Sequence, residues 1–490
     1  METIHAQSND TISFSNQEQS QLINKVRTGF YRSAGVKTWQ NEFSYSNIQL
    51  GYFDNADDVY LPQIGSGEKG FRVSSNSYQK FKSNLTLWGN AFYENKKIMD
   101  VVYNETLDYE VIYPYAMVDT VGGNLRSEVY HFSGGASKGF KKFNIGFEGS
   151  YTGGLAYRRR DPRPENISSA IDFSLAVSKN IYRRYVAAFD LIGTKYHQRN
   201  TLDFASNLGA PNIYHDAGLG AYNDLLDGTN DNAIFNGGKK GFLLSFVPIN
   251  REGILFTAGV DQFTVRKRLG NVVGDIGELT DYDFHTDLGY SWKQSTKLYF
   301  IKLLGKIKSR ESMEANFNNR GDDVGFVKIS ESKRFFHDQV LIGLEINREK
   351  KLQDRQFSVL LKASVVNDNF KYINPNRNLE AKNFFGSLGV KYMTPVKRNM
   401  LTAFAWVDCK RNFYISNFWP DVSKSHVFAG MLDQMLFYYK SDYYGVGGDV
   451  RLDIPTSNNL GVFMELKGAY QLYRQNLNAS NINLAFGIVF

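Results

Sequence analysis

The last ten residues of the chain alternate strictly between large apolar side chains and small or polar ones. One face carries Ile482, Leu484, Phe486, Ile488 and Phe490. The other face carries Asn481, Asn483, Ala485, Gly487 and Val489. Successive side chains of a strand point to opposite faces, so this segment is a strand with one apolar face that ends on an aromatic residue. Such a strand is typical of the closing strand of a transmembrane β-barrel, which contacts hydrocarbon on one side and water on the other.

The same pattern recurs along the chain from residue 42 onward and predicts an all-β fold, a transmembrane antiparallel up-and-down β-barrel. An even strand number is usual in bacterial barrels. We predict about 18 strands, with a range of 14–20 because two candidate segments are long enough to hide a bend or an extra hairpin. The candidates are 42–53, 69–80, 84–97, 125–137, 143–158, 165–179, 184–198, 239–247, 253–267, 281–292, 297–312, 324–346, 353–368, 379–393, 399–411, 426–454, 459–472 and 479–490.

The connections between these segments alternate between short turns and longer polar segments, as in an up-and-down barrel whose short turns face the periplasm. Both termini then lie at the periplasmic end. The longest outer segment, 199–238, is rich in Asn, Asp and Gly, and we expect it to fold over the mouth or into the lumen.

Composition excludes several other classes. No run approaches the roughly 18 apolar residues that a membrane-spanning helix needs, and the mean hydropathy is only -0.38. The 15% aromatic content suits interfacial Tyr and Trp, although a Tyr-rich soluble propeller or solenoid is an alternative. The net charge of +7 is spread through every segment, so nucleic acid is not expected as a partner. Anionic lipid headgroups are the expected partners of this positive charge. Arg158 to Arg160, at a strand end, could contact lipopolysaccharide or form a solvated rim.

The amino-terminal residues 1–40 form a separate unit before the barrel, which occupies 41–490. Ile4 to Gln7 resembles the end of a secretory signal. Ser15 and Glu18 form a capping box, and the apolar spacing that follows predicts a short helix near 16–30. We expect this helix at the periplasmic mouth or inside the lumen as a small plug; a packed turn without a gating role is the alternative.

Two adjacent candidate strands carry charged rows on their polar faces, which we call the charge ladder. Its residues are Asp281, Asp283, His285, Asp287, Lys302, Lys306, Lys308 and Arg310. Carboxylates and imidazole at this spacing could bind a metal or perform acid–base chemistry, but opposed rows on neighbouring strands most simply pair with each other. We therefore predict lumen salt bridges and no metal site.

No arrangement of Ser, His and Asp suited to catalysis emerges from the sequence, so neither an enzyme nor a cofactor is expected. The G-x-S-x-G string at Gly135, Ser137 and Gly139 lacks the strand-to-helix turn that a nucleophile elbow requires. The single Cys409 cannot form an internal disulfide.

With its terminal strand Asn481–Phe490, its signal remnant at Ala6 and its Tyr- and Asn-rich strands, the chain resembles an uncharacterised outer-membrane β-barrel family of the Bacteroidota type, across residues 40–490. The resemblance implies a bacterial outer-membrane location and recognition of the terminal strand by the assembly machinery. We expect a channel or uptake pore for small hydrophilic solutes. The alternative is a non-conducting structural barrel that docks envelope partners in uptake, secretion or assembly.

Overall fold

A computed structural model describes residues 21–182, 184–205, 211–228, 232–270, 272–319, 326–352, 354–457 and 460–490. Eighteen long antiparallel strands form a closed barrel. The described strands are β1 (Tyr45–Asp57), β2 (Gly67–Phe81), β3 (Leu85–Val101), β4 (Met117–Val118), β5 (Gly123–Gly139), β6 (Asn144–Tyr157), β7 (Arg163–Ile181), β8 (Tyr185–Asp203), β9 (Tyr214–Gly218), β10 (Ala221–Tyr222), β11 (Asn232–Pro248), β12 (Gly253–Leu269), β13 (Val272–Val273), β14 (Asp275–Gln294), β15 (Lys297–Asn319), β16 (Phe326–Leu352), β17 (Arg355–Tyr372), β18 (Arg377–Val396), β19 (Asn399–Phe418), β20 (Tyr443–Ser457), β21 (Leu460–Tyr473) and β22 (Asn478–Val489). Strands β4, β9 and β10 form a small separate sheet, β13 is a short parallel bridge to β16, and all the others belong to the barrel.

The helical elements are short and are not part of the barrel wall. They are α1 (Leu22–Thr28), α2 (Tyr109–Ile112) and α3 (Ala429–Lys440), with 3-10 turns at Lys37–Trp39, Asp224–Leu226 and Arg474–Asn476. Within the described ranges, none of these helices has the length and apolar character needed to cross a membrane.

The barrel closes between its first and last strands. β1 and β22 pair antiparallel, with Asn47 opposite Val489 and Asp57 opposite Ala479. At the end of this ladder the backbones of Ser46 and Phe490 exchange hydrogen bonds of 3.1 and 3.0 Å. Closure gives each barrel strand two neighbours, so its backbone groups are satisfied by the sheet where hydrocarbon could not satisfy them.

The outward face of the barrel is apolar. On β22, Ile482, Phe486 and Ile488 are 54%, 49% and 43% exposed, whereas Asn481 and Asn483 on the inward face hydrogen-bond to each other. The same outward exposure of large apolar side chains recurs on most barrel strands. A belt of this extent far exceeds the apolar patches of soluble monomers and matches the lipid-facing surface of a transmembrane barrel.

The connections alternate in length as the sequence predicts. Short connections join β2 to β3, β5 to β6, β7 to β8, β11 to β12, β14 to β15, β16 to β17, β18 to β19 and β20 to β21 at the end that carries the described carboxy-terminus. The opposite end carries the longer described segments 58–66, 102–122, 211–228 and 419–442. We call these the terminal end and the outer end.

The predicted fold class and strand number are confirmed, and every predicted strand range overlaps one barrel strand. One prediction is partly wrong: the candidate strand 426–454 contains α3 before β20 begins at Tyr443. Its aromatic residues favour strand, but Met431, Leu432 and Met435 lie on one buried helical face, so tertiary packing overrides local propensity. The predicted signal remnant and the Ser15 capping box lie outside the described residues.

Candidate functional site

The two rows of the charge ladder lie side by side on the inner wall, because β14 pairs with β15 with Asp281 opposite Arg310 and His285 opposite Lys306. Ion pairs join the rows. They are Lys302 Nζ to Asp287 Oδ1 at 3.5 Å, Lys306 Nζ to Asp283 Oδ1 at 3.1 Å, Lys308 Nζ to Asp281 Oδ2 at 3.2 Å and Arg310 Nε to Asp281 Oδ1 at 2.5 Å. The rows therefore largely neutralise each other, as opposite charges on neighbouring strands do.

His285 occupies the middle of the ladder. Its imidazole lies against Gly259 of β12, where an added Cβ would be 2.4 Å from the ring. In the part of the chain that the structure describes, no three His, Cys, Asp or Glu side chains are grouped to hold a metal ion. The geometry thus places His285 against the barrel wall between ion pairs.

The two ends of the ladder bind the segments that fill the barrel. Toward the terminal end, Asp287 accepts a hydrogen bond of 3.1 Å from Arg32. Toward the outer end, Arg310 donates to the backbone carbonyls of Glu110 at 3.0 Å and Tyr113 at 2.5 Å. Arg310 is only 3% exposed because these carbonyls and the carboxylate of β14 surround its guanidinium. The charge ladder therefore contacts two separate segments inside the barrel, one toward each end.

Residues 21–44, the inner plug, fill the lumen near the terminal end. Ile23, Phe30 and Tyr31 are fully buried in a cluster with side chains of β8, β11, β12 and β15. Polar contacts fix the following turn: the Ala34 amide donates to Asp190 Oδ2 at 3.0 Å. The predicted helix is therefore present as α1 and lies inside the lumen instead of at its mouth.

Three segments, 102–122, 211–228 and 419–442, fold inward and form the outer plug. Their buried apolar side chains pack on the inner wall in two clusters. Tyr113 contacts Phe335 of β16 edge-to-face with a centroid distance of 5.2 Å, and Phe428 and Leu432 are fully buried. Of the predicted outer segment 199–238, residues 211–228 fold into the lumen as one of the two expected outcomes. The predicted bounds are wrong at both ends, because 199–203 and 232–238 extend the ladders of β8 and β11. The inward course of 102–122 and 419–442 was not predicted.

A buried charge cluster attaches the outer plug to the wall. Arg158 Nη2 donates to Glu105 Oε1 at 2.7 Å, and Asp119 Oδ2 lies 3.9 Å from Arg158 Nη1. Burial, followed by the nearby Asp119 carboxylate, raises the pKa of Glu105 well above its ordinary value. The predicted rim or lipopolysaccharide contact is wrong for Arg158, which is 5% exposed, because residues 102–122 fold over it.

A second buried polar pair lies in the outer plug, at His215 and Asp216 of β9. Asp216 Oδ1 accepts from the Gly218 amide at 2.9 Å, and its other oxygen has no hydrogen-bond partner among the described residues. Burial raises the pKa of Asp216 to about 7, while the Gly218 amide and Lys267 oppose the shift and Glu314 adds to it.

We expect the contribution of Asp216 to the docking of residues 211–228 to fall as the pH rises from 5 to 8, because its pKa is about 7 when docked and near 3.9 when exposed, so that the docked carboxyl binds more protons. The neighbouring His215 acts in the opposite direction, because burial lowers the pKa of its imidazole in the docked form. Hydrogen exchange of 211–228, corrected for intrinsic rates, measures this. Asp216→Asn should remove the contribution that falls with pH, so that protection of 211–228 rises more steeply with pH than in the wild type, and Asp224→Asn in the same segment should not; equal slopes in all three proteins would refute the assignment.

Two of the cavities in the described part of the barrel lie on the same side of the inner wall. The larger, of about 470 Å³, lies between the inner plug and the wall and is lined by residues that include Lys37, Asn47, Asn90, Trp88, Thr402 and Glu465. The smaller, of about 380 Å³, lies toward the outer end and is lined by residues that include Asn55, Tyr60, Tyr438 and Asn481. Strands β1 and β21 contribute to both cavities. Both cavities therefore lie along one polar side of the lumen.

Residues 33–490 match the model of a family of unknown function, DUF6850. The chain belongs to this family. No curated protein matches the sequence.

Several solved structures resemble the chain at low similarity. The crystal structure of BauA, the ferric preacinetobactin receptor from Acinetobacter baumannii, has 8% identity and a TM-score of 0.40, with 91% of this chain and 80% of that chain covered. OpdK from Pseudomonas aeruginosa, solved with vanillate, has 8% identity and a TM-score of 0.34, with 92% and 99% covered. The outer-membrane transporter YddB from Escherichia coli has 7% identity and a TM-score of 0.36, with 91% and 80% covered.

Proposed function

We propose that the protein is a gated pore of the bacterial outer membrane that passes small hydrophilic solutes, with both plugs docked in its closed state. The observation that carries this proposal is the polar cavity of about 470 Å³ inside the lumen. A barrel whose only task was structural would gain stability from filling this space with packed side chains. The cavity instead leaves polar and charged groups facing open space.

The apolar outer belt supports the membrane location. Closure of the β1–β22 seam satisfies the backbone, and the exposed apolar side chains of the wall suit hydrocarbon. In the same proposal, the terminal strand with Ile482, Leu484, Phe486, Ile488 and Phe490 is recognised by the outer-membrane assembly machinery. Lipid and lipopolysaccharide surround the belt.

The inner plug can act as a gate because it precedes β1 in the chain. Its departure would break no hydrogen bond of the barrel ladder. It is held by one apolar cluster and by hydrogen bonds to the wall along its length, among them those of Arg32 to Asp287, the Ala34 amide to Asp190, Ser178 to the Gly35 carbonyl and Tyr78 to the Lys37 carbonyl. Such contacts can be exchanged for water at a moderate net cost, since an intramolecular hydrogen bond contributes only about 0.5–1.5 kcal/mol.

The alternative function is a non-conducting barrel that docks envelope partners. The specific observation in its favour is that both ends of the lumen are filled by packed segments with buried apolar clusters. In this case the plugs would complete a rigid core rather than gate a path.

Planar-bilayer recording of the purified full chain separates the two functions. A gated pore predicts stepwise openings of uniform size between long closed periods, because the plugs must undock before ions pass. A stable baseline over many insertions, with insertion verified by protease protection, would contradict the pore. A complex that co-purifies with such a silent barrel would support the docking role.

A further inference from the structure

The larger cavity is lined by groups that suit a small uncharged sugar. This inference rests on the proposed function, because it names the solute that the pore would pass. Its volume of about 470 Å³ lies within the range of roughly 300–1,000 Å³ that is usual for small-ligand sites. The chemistry of its lining decides between sugars, anions and zwitterions.

One wall of the cavity is a fixed aromatic surface. The indole of Trp88 on β3 lies against Gly135 of β5, where an added Cβ would be 2.4 Å from two ring atoms. Its N–H donates to Glu148 Oε2 at 2.8 Å, which fixes the ring orientation. Lys37 Nζ lies 6.0 Å from the ring centroid on the cavity lining. The indole is therefore held against Gly135, the Lys37 ammonium lies over the ring, and the rest of the half-buried ring lines the cavity.

Beside this ring lies a row of neutral amides on adjacent strands. Asn90 Nδ2 donates to Asn76 Oδ1 at 2.5 Å, and Asn76 Nδ2 donates to Asn47 Oδ1 at 3.3 Å. Each amide has two donors and an acceptor with two lone pairs, so the row retains hydrogen-bonding capacity beyond these contacts. Amides of this kind match hydroxyl groups, which also both donate and accept.

A polar group without a protein partner lies on the opposite side of the cavity. Thr402 of β19 is 4% exposed and lines the cavity. Its hydroxyl has no hydrogen-bond partner among the described residues. Because that oxygen is itself enclosed, a bound molecule would reach it only after a rotation of the Thr402 side chain.

The charges around the cavity do not favour a charged ligand. Four cationic and three anionic side chains line it. One of the cations, Arg451, is held by Asp453 at 2.8 Å and Glu465 at 3.4 Å. An anion would gain little net Coulomb energy against this near balance, and it would have to displace existing ion pairs.

From these contacts we infer that the cavity binds a small neutral saccharide. A C–H edge of the sugar ring would lie against the part of the Trp88 ring that lines the cavity, beside the Lys37 ammonium. The sugar hydroxyls would bond to the amides of Asn47 and Asn76.

Calorimetric titration of the detergent-solubilised full chain with maltose tests this inference. We expect maltose to bind the wild type saturably. Mannitol, which lacks a ring face, should bind much more weakly, and so should glycine and phosphate. Trp88→Ala should weaken maltose binding roughly three- to tenfold, the value of one aromatic contact. Trp88→Phe should retain most of the wild-type affinity for maltose. Trp292→Phe should leave this affinity unchanged, because the Trp292 ring stacks on Tyr299 outside the lumen.

Absence of saturable maltose binding to the wild type would overturn the inference, as would equal affinity in Trp88→Ala. Phosphate or glycine binding more tightly than maltose would assign the site to a charged solute instead. Because calorimetry requires no current, the two proposals can fail separately. Maltose binding by a barrel that gives no current would contradict the pore and support the saccharide site. Stepwise currents without maltose binding would support the pore and contradict the saccharide site.

Discussion

A disulfide between the inner plug and the wall, made in the pair Gly35→Cys and Ala188→Cys, is expected to abolish conductance when oxidised. A Cβ built at Gly35 lies 3.3 Å from Ala188 Cβ, a few tenths of an ångström short of the spacing of about 3.5–4.5 Å in disulfides. The bond would hold the plug against β8. If undocking of the plug opens the pore, current should fall to the baseline in bilayers and return after reduction.

The native Cys409 is replaced in every variant of this experiment by Cys409→Ser, so that it cannot form a competing bond. Gly35→Cys alone is the matched control, because it adds the same side chain without a partner. A second pair, Gly35→Cys with Ala176→Cys, tests the same idea from β7, since the Cβ spacing there is 3.2 Å. Full current from a protein whose cross-link is verified by mass spectrometry would show that the inner plug is not the gate.

The barrel wall was predictable because its information is local. In each strand, apolar and polar side chains alternate with a period of two, because one face contacts lipid and the other faces the lumen. The adjacency of the charge ladder was predictable for the same reason, since its two rows lie on consecutive strands. Both features follow from the sequence of a single hairpin.

The contents of the lumen were not predictable, because they depend on contacts between residues far apart in the chain. The burial of Arg158 depends on residues 102–122 folding inward, and its partner Glu105 lies in that segment. Two acidic residues in an outer segment, Glu105 and Asp119, were the available signal. The Trp88 site likewise requires β3, β19 and the inner plug together, and no local pattern encodes that arrangement.

The choice between strand and helix at 429–440 failed for a related reason. Phe437, Tyr438 and Tyr439 favour strands by propensity. In the structure Lys410 of β19 donates to the Tyr438 carbonyl at 2.8 Å, and the apolar face of α3 packs on the inner wall. The helix is therefore stabilised by the barrel interior, which the local sequence does not contain.

Arg310→Ala is expected to release residues 102–122 from the wall while the barrel stays closed. The substitution removes the bidentate contact to Asp281 and the two hydrogen bonds to the carbonyls of Glu110 and Tyr113. Breaking a buried ion pair by removing one partner costs about 3–5 kcal/mol. We expect the lower end of this range, because Lys308 remains 3.2 Å from Asp281. Hydrogen exchange of 102–122 reports the loss.

Two further substitutions in the same ladder determine whether the effect belongs to the guanidinium. Lys306→Ala removes a single ion pair of a partly exposed side chain and should change protection of 102–122 by less than about 1 kcal/mol. Arg310→Lys keeps the charge but lacks the planar fork that reaches carboxylate and carbonyls together, so protection should stay close to that of Arg310→Ala. Protection in Arg310→Ala equal to that of the wild type would mean that the apolar contacts and the buried Arg158–Glu105 pair hold the outer plug without help from Arg310. In that case the charge ladder would stabilise the wall and leave the plug free to open independently of it.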